Sequence, residues 1–355
     1  MASKTIIEPP LSVKSAFQCE GATFAPLVSG HLNATFRVQI TDRPDDQRDW
    51  ILQRVNDLFD PLSNETLERI TGLVKEAGLA TPELIRPANG ELFVRDNDGA
   101  LWRGLTLVPG HTILAVEYLG QCESAGRLVG QFHRALAEFN QPLPGKARLV
   151  HDIDVHRATL DAALATHGHH VAMAEVQAVA GQLIDLFNQQ GPAPEFEKRM
   201  AHGDLKISNF IFDDHNRAVA VIDLDTLSYM AWPTELGDGF RSWCATTDED
   251  DPAIAFDCAR FEAAVRGYSS ALPSVWSHEE WMAIGRWVAQ IAIELGMRFA
   301  ADALNESYFG YDRQRFEQPW QHHLLRAQCQ LRLAKDVTRQ MADIDRLLGS
   351  SFIPS

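Results

Sequence analysis

The chain has 355 residues, 48 acidic and 32 basic, for a formal net charge of −16, which excludes bulk attraction to nucleic acid because phosphates would be repelled. With 45% hydrophobic and 23% charged residues the composition is that of a folded protein rather than a disordered one. At ~150 residues per domain the length predicts two domains or two lobes. ATFRVQI (34–40) and WILQRV (50–55), within 22–40 and 47–56, read as strands on either side of the turn-like TDRPDDQRD. Leu67, Ile70, Leu73 and Val74 recur at helical spacing and predict a helix over 63–78. ELFV (91–94) and WRGLTLV (102–108) are again strand-like, and Pro109-Gly110 breaks the chain.

Beyond Gly110 the pattern turns helical. Ala125, Leu128, Val129, Phe132, Ala135, Leu136 and Phe139 share one face of a helix over 123–139, with His133 beside the apolar stripe as a packed histidine. Further helical patterns run at 154–166, 171–189, 253–271, 278–304 and 318–347, interrupted by a hairpin pattern at 210–223. The expectation is an α+β, two-lobed chain with a β-rich lobe over 1–109 and a helix-rich lobe over 110–355.

Five cysteines without a CxxC pair argue against a disulfide framework or a zinc-thiolate site and fit a reducing compartment. MASKTIIEPP lacks a secretory apolar core, and no run of ~18 apolar residues occurs, so a cytoplasmic chain with no membrane partner is expected. THGHH (166–170) has no carboxylate or cysteine at ligand spacing and reads as a polar loop. No GxSxG, HExxH or Walker A sequence is present.

The segment HGDLKISNFIFDDHNRAVAVIDLD (202–225) carries the chemistry. Asn209 follows Asp204 by five residues, and Asp223 follows Asn209 by fourteen. This is the order and spacing of a kinase catalytic loop followed by a metal-binding aspartate. Phosphoryl transfer needs a carboxylate at the attacking hydroxyl, which is Asp204. It also needs hard oxygen ligands for Mg²⁺ on the ATP phosphates, which are Asn209 and Asp223. An uncompensated carboxylate at the end of a buried strand would be costly, which gives Asp223 a second reason to meet a cation. Asp225 is either a second metal ligand or an orienter of the loop. His202 is a buttress rather than a proton carrier, and Asp213 and Asp214 are turn residues.

HGDLKISNFIF and AVIDLDT resemble the aminoglycoside/choline phosphotransferase superfamily. The resemblance implies a bilobal protein-kinase-like fold, with H-x-D-x₄-N and I-D-x-[DE] in place of HRD and DFG. LVSGHLNATFRV (27–38), WILQRVN (50–56), LGDGFR (236–241) and ELGMRFAADALNESYFG (294–310) are similar to segments of N-acetylhexosamine 1-kinases. Those enzymes use ATP to phosphorylate the anomeric hydroxyl of N-acetylglucosamine or N-acetylgalactosamine. The resemblance implies Asp204 as base and Asn209 and Asp223 as Mg²⁺ ligands. It places His31 near both nucleotide and sugar, and Arg298 and Tyr308 on the sugar. It assigns Gln53, Arg54, Glu68, Leu107 and Val108 to the nucleotide, and Asp238 and Arg241 to support of the loop.

Two features depart from the kinase pattern. Only Gly30 stands where a Gly-rich loop has three glycines. WILQR replaces VAIK, so the phosphate-pairing lysine becomes Gln53 or Arg54, which strand alternation puts on opposite faces. The partner acid is Glu65 or, better placed within the helix, Glu68. Arg298 stands four residues before Asp302 on the predicted helix. An intrahelical ion pair therefore competes with a sugar-binding role. Other acceptors, namely an aminoglycoside, a choline-like amine or another sugar, remain open, as does a nucleotide-binding pseudokinase module.

Overall fold

The computed structural model describes residues 8–27, 33–41, 44, 48–145, 150–271 and 274–352. The chain divides into two compact units. The first comprises Met1–Pro109 with Gln141–Arg148 and Ala220–Leu227, and the second Gly110–Asn140, Leu149–Val219 and Ser228–Ser355.

The first unit begins with a short helix, α1 (Leu11–Ala16), and then builds an antiparallel sheet. Its strands are β1 (Thr23–Leu27), β2 (Ala34–Gln39), β3 (Asp49–Arg54), β4 (Leu84–Ile85), β5 (Val94–Arg95) and β6 (Leu101–Thr106). The order is β1-β2-β3-β6-β4, with β5 also on β6. Alternation sorts the side chains. Phe36 and Val38 of β2, Trp50 and Leu52 of β3 and Trp102 of β6 turn to one face and bury against Val13, Phe17 and Cys19. On the opposite face the register aligns Thr35 with Gln53 and Gln53 with Arg103. That face meets α2 (Ser63–Glu76), which buries Leu67, Ile70 and Val74.

The second unit is mostly helical: α3 (Leu119–Leu136), α4 (Ile153–Thr166), α5 (Met173–Gln190), α6 (Trp232–Trp243), α7 (Cys258–Ser269), α8 (His278–Asn305), α9 (Pro319–Arg339) and α10 (Met341–Ser351). Strands β7 (Lys198–Ala201) and β10 (Ser228–Ala231) pair antiparallel. Strand β8 (Phe210–Phe212) turns back through Asp213–Arg217 into β9 (Ala218–Val221), which leaves this unit at Ala220. Helix α8 is apolar on most of its circumference because α4, α5, α6, α9 and α10 surround it. It starts at a capping box in which Ser277 and Glu280 exchange side-chain and backbone bonds. Helices α3 and α7 cross in backbone contact. A Cβ on Gly126 would lie 2.1 Å from the Ala264 carbonyl oxygen, and one on Gly267 1.9 Å from that of Glu123.

Three features differ from the pattern reading. The stretch 318–347 is two helices, separated at Gln340, whose amide donates to the Phe256 carbonyl. Helix α6 carries Gly237 and Gly239, poor helix formers, because a Cβ on Gly237 would strike the Trp287 backbone at 2.7 Å. Strands β7 and β10 are too short, at four residues each, to show a period. Among the described residues no helix is long and apolar enough to cross a membrane.

Candidate functional site

The segment from His202 to Asn209 links β7 to β8 in the second unit. It has no regular ladder, so its backbone groups are satisfied by side chains. Glu235 Oε1 accepts the His202 and Gly203 N–H groups at 2.5 and 2.9 Å. Ser242 Oγ accepts the Ile207 N–H at 3.0 Å, and Trp243 Nε1 donates to the Leu205 carbonyl at 2.7 Å. Gly203 has φ +87°, a region that side chains rarely adopt, which is why glycine stands between His202 and Asp204. His202 is wholly buried, and its Nδ1 accepts the Asp204 N–H at 3.3 Å.

Asp204 keeps a quarter of its side-chain surface exposed, and Lys206 Nζ lies 2.6 Å from its Oδ2. Burial pushes the Asp204 carboxyl up, but the Lys206 ammonium, with His202 and His151 behind it, outweighs burial and holds it below the ordinary value. An ionised carboxylate with an exposed edge can accept a proton from a hydroxyl. Asn209 is buried, and its Nδ2 donates to the Asp204 carbonyl at 2.8 Å. That bond fixes the amide so that Oδ1 is its remaining polar group. His151 is buried beside this loop, with Nδ1 2.9 Å from Glu294 Oε1 and Nε2 3.9 Å from Asp238 Oδ2.

In the first unit Gln53 and Arg54 lie on opposite faces of β3, as strand alternation expects. Gln53 lies on the Thr35–Arg103 face and donates to Thr35 Oγ1 at 3.2 Å; its Oε1 accepts Arg103 Nε and Nη2 at 3.0 and 2.8 Å. Arg54 alternates onto the Trp50–Leu52 side. Glu68 does not partner either residue. It is part-exposed and pairs with Arg86, because its place on α2 turns it outward, and the acid on the buried face is Asp225. Both Asp225 oxygens are committed, Oδ1 to Arg103 at 2.6 Å and Oδ2 to Arg103 and Asn33 at 2.9 and 2.7 Å. Asp225 thus ties its loop to Arg103 and Asn33. Asp223 is exposed rather than buried, so burial gives it no reason to meet a cation; it takes a left-handed conformation, φ 65°. Leu107 and Val108 follow β6 and are half-buried. Gly30 and His31 lie outside the described residues.

Arg298 and Tyr308 come together at the end of α8. The Arg298 guanidinium lies over the rings of Tyr308 and Phe309, 5.8 and 5.5 Å from their centroids. Among the described residues no carboxylate forms an ion pair with Arg298. Asp302 is occupied otherwise: its two oxygens accept the N–H groups of Ser307, Tyr308 and Phe309 at 2.9, 2.9 and 2.6 Å.

The model of the phosphotransferase enzyme family matches residues 23–273. The chain belongs to that family. The phosphotransferase is also similar in fold to a microcompartment-associated aminopropanol kinase, with TM-score 0.64 and 16% identity over 95% of this chain and 97% of the other. An amicoumacin kinase solved with AMP-PNP, Ca²⁺ and its substrate gives TM-score 0.58 and 14% identity over 94% and 91%. An aminoglycoside phosphotransferase from Alicyclobacillus acidocaldarius gives TM-score 0.58 and 12% identity over 95% and 97%. These likenesses show the bilobal kinase-like fold.

Sequence reasoning missed several groups of this phosphotransferase. The grip on the loop comes from Glu235, while Asp238 and Arg241 pair with each other at 2.9 Å. Lys206 sits inside the quoted motif, where its spacing of two from Asp204 could have flagged it. Arg103 and His151 carry no local signal, because their partners are 122 and 143 residues away. Among the described residues no group of three or more His, Cys, Asp or Glu could hold a metal, and of THGHH Thr166 ends α4 while 167–170 are a loop in which His167 meets Asn305. A magnesium ion asks less of the protein than zinc does. One exposed carboxylate and one amide oxygen are hard donors of the kind it takes, the rest being phosphate and water. Asp223 carries a carboxylate and Asn209 an amide oxygen of that kind.

Proposed function

We propose that this phosphotransferase is an ATP- and Mg²⁺-dependent sugar kinase that phosphorylates the anomeric hydroxyl of an N-acetylhexosamine. Asp204 accepts the hydroxyl proton as the sugar oxygen bonds to the γ-phosphorus and the bond from that phosphorus to the bridging oxygen breaks. The products are the sugar 1-phosphate and ADP. An anomeric hydroxyl is more acidic than an ordinary alcohol, so one positioned carboxylate is enough. Asn209 and Asp223 hold the Mg²⁺, which neutralises phosphate charge when bound. Gln53, Leu107, Val108 and His31 serve the nucleotide, and a cytoplasmic setting supplies the ATP.

The observation that carries the sugar assignment is Arg298. Its planar fork of donors is stacked on aromatic rings with no carboxylate paired to it among the described residues, which suits an acceptor rich in hydroxyl and carbonyl oxygens. An ammonium-bearing acceptor such as an aminoglycoside or choline would be repelled by that cation.

Coupled ADP release against a panel of N-acetylhexosamines, other sugars, aminoglycosides and choline tests the reading. Mg²⁺-dependent release with N-acetylglucosamine or N-acetylgalactosamine is expected. Release only with amines would overturn the sugar assignment, and no ADP release with any acceptor would favour a pseudokinase.

A further inference from the structure

Arg103, in the middle of β6, is 1% exposed. All five of its N–H donors are used: Nε and Nη2 on Gln53 Oε1, Nη1 on Asn64 Oδ1, and Nη1 and Nη2 on the two oxygens of Asp225. Asn33 completes the Asp225 side from the other direction and is itself fixed, its Oδ1 accepting the Asn56 N–H at 2.9 Å. On the reading proposed here the counterpart of the β3 lysine of protein kinases is Gln53, on the Arg103 face, which is neutral. The buried cation stands one strand over, and its acid belongs to the loop of Asp223 rather than to a helix. Asp223 is two residues from that clamp, joined to it by the single turn Leu224–Thr226, and holds the left-handed backbone that non-glycine residues seldom take.

We infer that Arg103 is a positioning residue for the metal–nucleotide complex: through the forked bond to Asp225 it fixes the turn that aims the Asp223 carboxylate. The inference rests on the proposed Mg²⁺–ATP reading and names how this chain does without the β3 lysine.

The test uses the full chain with Arg103→Gln and Asp225→Asn combined, so that no buried charge is left without its partner. Calorimetry of AMP-PNP binding at increasing Mg²⁺ gives the half-saturating metal concentration, and steady-state kinetics give the two KM values. The double variant is expected to need roughly 10–100 times more Mg²⁺, the usual loss when the support of a metal ligand is removed. The acceptor KM should be unchanged, and excess Mg²⁺ should restore binding. Arg103→Lys keeps the charge and loses the fork, so it should shift the Mg²⁺ requirement in the same direction by less; it decides the question if the double variant does not fold. A lowered Tm with wild-type Mg²⁺ requirement and wild-type nucleotide affinity would overturn the inference. Absence of Mg²⁺-dependent nucleotide binding by the wild-type protein would instead overturn the kinase reading.

Discussion

Glu235 Oε2 lies 2.6 Å from His133 Nε2, and both side chains are wholly out of contact with solvent. With its other oxygen Glu235 accepts two N–H groups of the His202–Gly203 backbone, and His133 Nδ1 continues to Tyr268 Oη at 2.7 Å. Trp276 donates to that hydroxyl in turn, at 3.0 Å, and His133 stacks on Trp232. The acceptor role of Glu235 puts a proton on His133 Nε2. A chain of polar groups from α3, α6 and α7 thus holds the loop that presents Asp204.

Replacing Glu235 by Gln keeps the shape and removes the charge from these bonds. Hydrogen bonds to a charged group contribute about 1.5–3 kcal/mol, so Glu235→Gln should lower stability by about that much in a urea titration. Turnover should fall roughly tenfold or more, since a small misplacement of a catalytic group is costly. Wild-type stability and turnover would show that the loop is held by other means.

Arg298→Ala should raise the acceptor KM, or lower kcat/KM for the acceptor, by roughly 10–200-fold, the equivalent of about 1.5–3 kcal/mol of charged hydrogen bonds. The KM for ATP should hardly change. Because Asp302 is engaged with the 307–309 backbone, removal of Arg298 breaks no ion pair with it. Equal losses for both substrates, or a loss accounted for by a fallen Tm, would leave the hexosamine assignment without its carrier.

His151 predicts a pH dependence of stability. Burial pushes its pKa down, but Glu294 at 2.9 Å, with Asp238 behind it, more than reverses this and raises it above 6.5. A histidine raised on folding stabilises fully below its unfolded value and loses that contribution as pH rises through the folded value. Stability should therefore decline above pH ~6.5 in the wild type, and His151→Gln should remove that decline. His156, which burial lowers, acts in the opposite direction and only below 6.5, so the two are separable by pH window. A decline unchanged in His151→Gln would assign it to another group.

Asp223→Asn keeps a residue type that tolerates the left-handed conformation while removing the ligand charge. It should abolish Mg²⁺-dependent ATP turnover and leave the thermal transition near that of the wild type. Persistence of wild-type activity in EDTA would contradict the two-ligand metal site.

Most of the helices were legible because their apolar positions recur at fixed spacing. Helix α2 was expected over 63–78 and runs Ser63–Glu76, and α8 was expected over 278–304 and runs His278–Asn305. The H-x-D-x₄-N spacing was legible for the same reason, being local. Helix α6 was hidden because packing against Trp287 demands glycine where propensity opposes it. Glu235 and Arg103 were hidden because each is defined by partners far along the chain, and a buried charged residue looks in sequence like any surface one. Glu68 illustrates the converse: its place in the helix was read correctly, but the face it occupies was not.

The most direct test of the account is the turnover of Asp204→Asn with Mg²⁺, ATP and an N-acetylhexosamine. Loss of the general base should lower kcat by roughly 10²–10⁴-fold while nucleotide binding stays near that of the wild type. Wild-type turnover by this variant would remove Asp204 from the reaction and contradict the mechanism.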